Sequence, residues 1–305
     1  MAKAADIRIG VDLGGTKIEI IALDTGAKTL LRERVATPQG DYAATVEAVA
    51  RLVESVESRL GCAGLPVGVA TPGALSQATG MLKNANSVCL NGRPLRQDLE
   101  KRLGRPLRFG NDANCFALSE AVDGVAVGAR VVFGVIIGTG TGAGIVVERR
   151  LLTGPNAVAG EWGHNPLPWP QGDELHGPLC YCGKRGCIET WLSGPGMGRD
   201  FTAHTGEALS AESIVARAEH GDAPSRAVLE RYYDRMARAL AQIINVLDPD
   251  LIVLGGGMGK IPTLYHEVPR RWGAYVFSDR VDTRLVPPKH GDSSGVRGAA
   301  WLWPG

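Results

Sequence analysis

The sequence predicts an α/β protein with two domains. Apolar runs of strand length alternate along the chain with segments of helical periodicity, which is the pattern of α/β architectures. A chain of 305 residues is long enough for two cores, since domains usually have about 100–200 residues. In addition, two segments that begin near residues 7 and 131 share the order strand, glycine turn, strand, and this repeat predicts a duplicated fold.

The same patterns predict the individual elements in chain order. IRIGVDLGGTKIEIIAL indicates two strands joined by a Gly-Gly turn, and DYAATVEAVARLVESVESRL has the apolar spacing of a helix. LPVGVATPG predicts a short buried strand, and LRFGNDANCFALSEAV a strand, a polar turn and a helix. VVFGVIIGTGTGAGIVVERRLL repeats the hairpin, and the Pro- and Gly-rich region 165–180 is typical of a loop. RYYDRMARALAQIINVLDPDLIVLGGGMG then predicts a long helix, a break at Asp-Pro-Asp, a strand and a triple glycine.

Composition and charge exclude several classes of function. The formal net charge of +1 provides no electrostatic footprint for nucleic acid or for an anionic membrane. No apolar run approaches the roughly 18 residues of a membrane span, and MAKAADIRIGVDLGG lacks the apolar region of a signal peptide. We therefore expect a cytoplasmic protein without nucleic-acid or membrane partners. In a reducing compartment its six Cys are better suited to metal binding or redox chemistry than to disulfides.

The turn DLGGTK is a candidate anion site. Gly14 and Gly15 allow backbone N–H groups to approach an anion closely, and Thr16 and Lys17 add a hydroxyl and a positive charge. Asp12 could hold Mg²⁺ through water. The spacing is not that of a P-loop, and a plain hairpin turn remains the alternative.

The turn GTGTGAG is a second candidate of the same kind. It continues into a strand, whereas a dinucleotide-binding fingerprint must open a helix, so that fingerprint is excluded. The run GGGMG, which follows the strand LIVL, offers a surface without side chains for a nucleobase or ribose, although such runs are often tight turns. The candidate residues in the two segments are Thr139, Gly140 and Thr141, and Gly255, Gly256 and Gly257.

The segment GNDAN places Asp112 where a strand gives way to a helix. One interpretation is a general base that removes a proton from a substrate hydroxyl, with Asn111 beside it as a further contact. The other is a helix N-cap, for which Asn and Asp are preferred residues. The two roles are compatible, because ligands of α/β folds bind at strand ends.

The stretch GEWGHNPLPWPQGDELHGPLCYCGKRGCIET contains a Cys₃His set made of His164, Cys180, Cys182 and Cys187. Four soft ligands of this kind suit a closed tetrahedral Zn²⁺ site with a structural role. Free buried thiols and a disulfide are the alternatives.

Two acidic residues flank these four ligands. Zinc would bring Glu161 and Glu189, together with the His164 ring, around a polyol. The alternative for each Glu is an ordinary solvated charge.

Together these motifs resemble the ROK family of bacterial sugar kinases and repressors, within the actin/hexokinase-like ATPase superfamily. The resemblance runs from IGVDLGGTK to HGDSSGVRGAAWLWP, and GEWGH…CYCGKRGCIET is its most specific part. It implies a duplicated actin/hexokinase-like (ribonuclease H-like) fold with two domains around a cleft. The smaller domain would comprise residues 1–119 and the C-terminal helix in 293–305, and the larger one residues 120–292 with the zinc-binding loop.

The resemblance also implies a role for each motif. Asp112 matches the catalytic base, the two glycine turns match the phosphate-binding segments, and GGGMG matches the adenosine segment. The Cys₃His set matches the zinc site of the family. The positions that match sugar contacts are Gly73, Asn86, Asn111, Asp112, Glu161, His164 and Glu189.

The implied reaction is transfer of phosphate from ATP·Mg²⁺ to the primary 6-hydroxyl of a hexose. KNANSVCLNGRPL, EAVDGVAVGA and GEWGHNPLPW resemble the proteobacterial fructokinases most, so fructose is the predicted substrate, with mannose and glucose beside it. The alternative is the N-acetylglucosamine kinase branch, which shares NDANCFALSEA and the HGD…RGAA tail. A sugar-responsive repressor is disfavoured, because too few residues precede the first hairpin for a helix-turn-helix domain. Relatives are typically homodimers.

Overall fold

The computed structural model describes residues 6–85, 87–291 and 294–303. The chain forms two compact units: unit 1 comprises Met1–Val127, Thr153–Ala157 and Asp292–Gly305, and unit 2 comprises Gly128–Leu152 and Val158–Gly291. The domain limits expected from the sequence stay a prediction. Among the described residues, no helix combines the length and the apolar character needed to cross a membrane.

Strands and helices alternate through both units. The strands are β1 (Ile7–Leu13), β2 (Lys17–Asp24), β3 (Thr29–Ala36), β4 (Val67–Thr71), β5 (Ala74–Leu75), β6 (Leu82–Lys83), β7 (Arg108–Asn111), β8 (Val131–Ile137), β9 (Thr141–Val147), β10 (Arg150–Leu151), β11 (Leu251–Gly255) and β12 (Arg284–Val286). The α-helices are α1 (Tyr42–Leu60), α2 (Leu95–Leu103), α3 (Asp112–Val122), α4 (Ile188–Leu192), α5 (Gly194–Thr205), α6 (Ala211–Glu219), α7 (Ala223–Leu247), α8 (Leu264–Trp272) and α9 (Ser294–Trp301).

Each unit contains a five-stranded mixed sheet, and the two sheets share one plan. The strand order is β3-β2-β1-β4-β7 in unit 1 and β10-β9-β8-β11-β12 in unit 2. In both, the first hairpin strand pairs antiparallel with the strand that follows it, β1 with β2 and β8 with β9. It also pairs parallel with a strand that comes after a helix, β1 with β4 and β8 with β11. This common order confirms the predicted α/β duplication.

The sheet of unit 1 is covered on both faces, because successive side chains of a strand point to opposite sides. Ile9 and Val11 of β1 pack in one apolar core with Val49 and Val53 of α1. Between them, Gly10 faces the other way and meets α9.

Glycines allow α9 to lie directly on the strands. A Cβ atom at Gly10 would be 2.1 Å from the carbonyl oxygen of Val296, and one at Gly68 would be 1.8 Å from that of Ala299. Any side chain at these positions would push the helix away. Helix α9 therefore packs within unit 1, although it follows the whole of unit 2 in sequence.

The core of unit 2 is organised around the 25-residue helix α7. Tyr232, Met236 and Leu240, spaced four residues apart on one face, share an apolar cluster with Ile252 of β11. Asp248 ends the helix in a left-handed conformation with φ of 47°. The predicted helix, break and strand are thus present.

Buried ion pairs attach the loop between β10 and α4 to α7. One carboxylate oxygen of Glu174 lies 2.7 Å from Arg235 Nε, and the other lies 2.8 Å from Arg238 Nη1. Arg238 also donates to the carbonyl oxygen of Trp169 at 2.8 Å. All three charged side chains are at least nine-tenths buried. Asp200, 3.0 Å from Arg235, and Asp234, 2.9 Å from Arg238, complete this network of ion pairs.

Glu174→Gln should lower the free energy of unfolding by about 1.5–3 kcal/mol, because it removes charge-assisted hydrogen bonds to two buried guanidinium groups, which keep Asp200 and Asp234 as partners. The midpoint of urea unfolding measures this change. Glu207→Gln is the control, since Glu207 pairs with Arg217 at the surface and its loss should leave the midpoint unchanged. Equal midpoints for both variants would contradict a stabilising role for Glu174.

Candidate functional site

Asp112 is the first residue of α3, immediately after β7. The N-cap is Asn111, whose Oδ1 accepts a hydrogen bond from the N–H of Asn114 at 2.7 Å. Asp112 Oδ1 accepts from the N–H of Ala113 at 2.8 Å. The N-cap interpretation thus applies to Asn111, and the exposed carboxylate of Asp112 is not required for capping.

The environment of Asp112 favours the protonated carboxyl more than water does. Solvent reaches the side chain, but the surrounding protein removes much of its hydration and raises its pKa. Burial, together with the charges of Asp112 and Glu19, raises the pKa of Asp12 to about 6. Unit 1 therefore contains two carboxylates close enough to influence each other, an arrangement suited to holding a proton or a cation.

Asp12 lies beside the turn that was predicted to bind an anion. The turn is closed by a hydrogen bond from the N–H of Gly14 to the carbonyl oxygen of Lys17 at 3.0 Å. Thr37 donates its hydroxyl to the carbonyl oxygen of Gly14 at 2.8 Å and its N–H to that of Thr16 at 3.0 Å. With these carbonyl groups engaged, the exposed part of the turn at Gly15, Thr16 and Lys17 is accessible to a ligand.

Two predicted sugar contacts in unit 1 stay predictions. Gly73 has a φ of 78°, and a Cβ atom there would be 2.3 Å from the carbonyl oxygen of Lys83, so the backbone itself requires glycine at this position. Asn86 lies outside the described residues.

In unit 2 the second glycine turn contacts one of the predicted sugar ligands. The N–H of Thr141 donates to Glu189 Oε2 at 2.9 Å, and a Cβ atom at Gly140 would lie 2.8 Å from the same oxygen. Among the described residues, the buried hydroxyl of Thr141 has no hydrogen-bond partner. Residues predicted to bind phosphate and sugar are therefore adjacent here.

The start of α5 was missed by the sequence analysis, although Ser-Gly-Pro-Gly is a recognisable helix start. Ser193 is the N-cap, and its hydroxyl accepts from the N–H of Gly196 at 3.1 Å. The N–H of Gly194 donates to the carbonyl oxygen of Gly138 at 2.8 Å, and a Cβ atom at Gly194 would lie 3.7 Å from Met258 Sδ. The helix N-terminus, which favours anions, thus adjoins the glycine turn and the GGGMG segment.

These segments of unit 2 border a cavity of about 1950 Å³, which has room for a nucleotide. Its lining includes Gly138, Thr139, Gly257 and Met258. Gly256 has a φ of 80°, and a Cβ atom there would lie 2.2 Å from the carbonyl oxygen of Ile137, so the triple glycine forms a tight turn. Its role as a binding surface stays a prediction.

The predicted zinc ligands come together in unit 2. The ligand atoms of His164, Cys180, Cys182 and Cys187 all lie within 4.8 Å of one another. Cys182 Sγ is 3.6 Å from Cys187 Sγ, and Cys180 Sγ is 3.5 Å from His164 Nδ1. Tetrahedral zinc with Zn–S bonds of about 2.3 Å needs sulfur atoms about 3.8 Å apart, whereas a disulfide needs about 2.05 Å. The four residues fit a zinc ion, and Cys182 and Cys187 are not disulfide-bonded.

Local backbone structure explains how the chain surrounds this cluster. Gly183 and Gly186 have φ values of 85° and 70°, which allow the sharp turns between the cysteines. A β-bridge between Pro166 and Cys187 brings the His164 end of the loop to its cysteine end.

Tyr181, between two of the cysteines, is a site residue that the sequence analysis did not identify. Its hydroxyl is 2.9 Å from His164 Nε2. Although its ring is exposed, partial burial and the charges of Glu189, Cys180 and Glu161 raise the pKa of Tyr181 to about 12. The charges of both predicted sugar-binding carboxylates therefore act on this hydroxyl.

Comparison with known proteins identifies relatives of nearly the same length. The model of the ROK family matches residues 8–305. An N-acetyl-D-glucosamine kinase of Photobacterium profundum is 40% identical over 297 residues, which cover 96% of this chain and 98% of that protein. The ROK hexokinase from Thermus thermophilus has 30% identity and a TM-score of 0.88, with 97% of each chain covered. A ROK family glucokinase from Streptomyces griseus, solved in complex with glucose and AMPPNP, has 26% identity and a TM-score of 0.76, with 97% of this chain and 98% of that chain covered.

Proposed function

The chain belongs to the ROK family, and we propose that it is a kinase that transfers phosphate from ATP to the primary 6-hydroxyl of a sugar. The observation that carries this proposal is the 40% identity with an N-acetyl-D-glucosamine kinase over almost the whole of both chains. The local geometry of Asp112 and of the glycine turns supports it.

N-acetyl-D-glucosamine is the proposed substrate. The motif resemblance favoured fructose, but the relative at 40% identity phosphorylates the N-acetyl sugar by its name, which supports the alternative stated from the sequence. Fructose, mannose and glucose remain as competing hexoses.

In the proposed mechanism, Asp112 accepts the proton of the sugar's 6-hydroxyl while the hydroxyl oxygen attacks the γ-phosphorus of ATP in line. The bond from the γ-phosphorus to the β–γ bridging oxygen breaks, and ADP leaves on the opposite side. Glu161, Glu189 and Asn111 hold other hydroxyls, so that the attacking oxygen is fixed in position. Positioning and charge stabilisation supply most of the rate enhancement in phosphoryl transfer.

ATP is proposed to bind through backbone groups and small side chains. The cavity of unit 2, whose lining includes Thr139 and Gly257, would hold the nucleotide. Its adenosine would lie at the triple glycine Gly255, Gly256 and Gly257, and its phosphates at the turn of Thr139, Gly140 and Thr141. In unit 1 the turn Gly14–Lys17 would contribute N–H groups and a positive charge. Asp12 would hold Mg²⁺ through water, and the ion supplies charge neutralisation at the phosphates.

The Cys₃His cluster is proposed to hold a structural Zn²⁺ ion. With four protein ligands no position is open for water, so the ion supplies stability rather than chemistry. It would fix the loop that carries Glu161 and ends at Glu189. Homodimerisation, expected from relatives, stays a prediction.

A coupled assay of ADP release with N-acetyl-D-glucosamine, fructose, mannose and glucose tests this function. We expect the highest kcat/KM with N-acetyl-D-glucosamine. A preference for fructose would restore the substrate predicted from the motifs, and no ADP release with any of the four sugars would overturn the kinase.

Gly140→Ala should raise the KM for the sugar about tenfold. The new Cβ atom would displace the Glu189 carboxylate from the N–H of Thr141, and a lost hydrogen bond to a charged group costs about 1.5–3 kcal/mol. Steady-state kinetics with each substrate varied in turn measure the effect.

Gly273→Ala is the matched control, because a Cβ atom there meets nothing within 4 Å. It should change neither KM. An unchanged sugar KM in Gly140→Ala would count against a role for Glu189 in sugar binding.

A further inference from the structure

A buried carboxylate on β2 binds two arginines of β3. Glu19 is 2% exposed, and each of its oxygens accepts one hydrogen bond, Oε1 from Arg32 Nε at 2.5 Å and Oε2 from Arg34 Nε at 2.7 Å. The two arginine side chains are 38% and 44% exposed. Two positive charges therefore share one negative charge, and both guanidinium groups are accessible to solvent.

The strand register places this cluster beside Asp12. Asp12 of β1 is paired with Glu19 of β2, and Glu19 is paired with Arg34 of β3. Residues paired across antiparallel strands point to the same face of a sheet, so the three side chains form a row on one face. This is the face that α9 covers, because a Cβ atom at Gly295 of α9 would lie 3.0 Å from Asp12 Oδ2.

The first glycine turn adjoins the same row. Lys17 precedes Glu19 by two residues on β2, so its side chain lies on the same face. Lys17 and Arg34 are diagonal neighbours in this register, roughly 7–8 Å apart and within reach of each other's long side chains. One residue past β3, Thr37 donates its hydroxyl to the carbonyl oxygen of Gly14 at 2.8 Å, which attaches this end of β3 to the turn.

Arg34 has donors left for a ligand. Within the part of the chain that the structure describes, Arg34 donates only from Nε, and its Nη1 and Nη2 groups make no hydrogen bond. The paired N–H groups of a guanidinium match the oxygens of a phosphate group, and Lys17 provides a second positive charge on this face. The two cations are therefore suited to an anion with several oxygens at the turn.

We propose that Arg34 contacts a phosphate group of ATP at the turn Gly14–Lys17, and that Glu19 is the positioning residue that fixes its guanidinium group. A cation held in place stabilises the charge on the phosphate oxygens during transfer without reorganisation. Glu19 acts only through Arg34, since a carboxylate repels phosphate. This inference rests on the proposed sugar kinase function.

Arg34→Met tests the contact, since it keeps a long side chain and removes the charge and its donors. We expect kcat/KM for ATP to fall about 10–100-fold, because hydrogen bonds between charged groups are stronger than neutral ones. Calorimetric binding of Mg²⁺·AMPPNP without sugar should also weaken, whereas sugar binding without nucleotide should be unchanged. Tm should stay close to that of the wild type, because Glu19 keeps Arg32 as a partner.

Arg32→Met is the matched control. Arg32 has the same carboxylate partner and a similar exposure, but it is paired with Ile21, two residues farther along β3 from the turn. Its loss should change neither kcat/KM for ATP nor AMPPNP binding. Equal losses in the two variants would show that only the overall charge of the cluster matters, and no loss in Arg34→Met would exclude the contact, so either result overturns the proposal.

Glu19→Gln tests the positioning role separately. It should lower kcat/KM for ATP less than Arg34→Met does, and it should add no further loss in the double variant, because the two residues act as a unit. Additive losses would overturn the role of Glu19. If the wild type releases no ADP with any sugar, the proposed function fails instead, and AMPPNP binding still tests Arg34; a wild type that binds no AMPPNP would overturn the contact as well.

Discussion

Asp112→Asn should lower kcat by at least about 10²-fold while the sugar still binds. The substitution keeps the size of the side chain and its hydrogen bond with the N–H of Ala113, but removes the group that would accept the substrate proton. General bases typically contribute about 10²–10⁴-fold in rate. Coupled ADP release at saturating substrates measures kcat, and calorimetry measures sugar binding.

The same variant should not lose stability at neutral pH. Because the surrounding protein raises the pKa of Asp112, the folded state binds its proton more tightly than the unfolded state does. The associated stability is present at low pH and is lost as the pH rises through the raised pKa, so the ionised carboxylate destabilises the fold at pH 7.5. The Tm of Asp112→Asn at pH 7.5 should therefore equal or exceed that of the wild type. In the wild type, kcat/KM should fall as the pH is lowered and Asp112 becomes protonated. The midpoint of that fall should lie above the ordinary aspartate pKa of about 3.9.

Asp41→Asn is the matched control for both measurements. Asp41 caps α1 through the N–H of Ala44, and Asn caps helices about as well as Asp does. Its turnover should be normal. Near-normal turnover in Asp112→Asn would refute the assignment of the base.

Cys182→Ser should release the bound zinc and lower Tm by about 5 °C or more. Removing one of four ligands opens the site, and metal binding of this kind contributes directly to folding free energy. In a protein of this size each kcal/mol shifts Tm by about 2–4 °C. Metal analysis of the purified protein and thermal unfolding with and without a chelator provide the measurements.

Cys62→Ser provides the comparison, since Cys62 is a free thiol in unit 1, outside the cluster. It should change neither metal content nor the response to chelator. If Cys182→Ser retains its metal, the proposed ligand set is wrong.

The helices and strands of both units could be predicted because their signals are local. Apolar spacing predicted α1 and α7, and glycine turns between apolar runs predicted the hairpins β1–β2 and β8–β9. The Cys₃His cluster was predictable for a related reason, since three of its ligands lie close together in sequence. The capping of α3 was less certain, because Asn111 and Asp112 are both good caps and only hydrogen-bond geometry distinguishes them.

Contacts between residues distant in sequence could not be read in this way. The prediction of Gly140 as a phosphate contact stays untested, and the motif gave no sign that this residue lies beside Glu189, 49 positions later. Gly10 and Gly68 carry no motif, yet they decide where α9 packs. The two kinds of resemblance also favour different substrates. Short motifs favoured fructose, whereas identity over the full length with an N-acetyl-D-glucosamine kinase supports the N-acetyl sugar.

The sequence by itself determined the α/β class, the duplication, the membership of a sugar-kinase and repressor family, and the Cys₃His cluster, because periodicity, turn chemistry and the spacing of motif residues are local signals. The tertiary structure alone decided that Glu174 pairs with two buried arginines, that the start of α5 adjoins the glycine turn, and that Tyr181 contacts His164. These contacts depend on how packed elements bring side chains and backbone groups within about 3 Å, which no local pattern specifies.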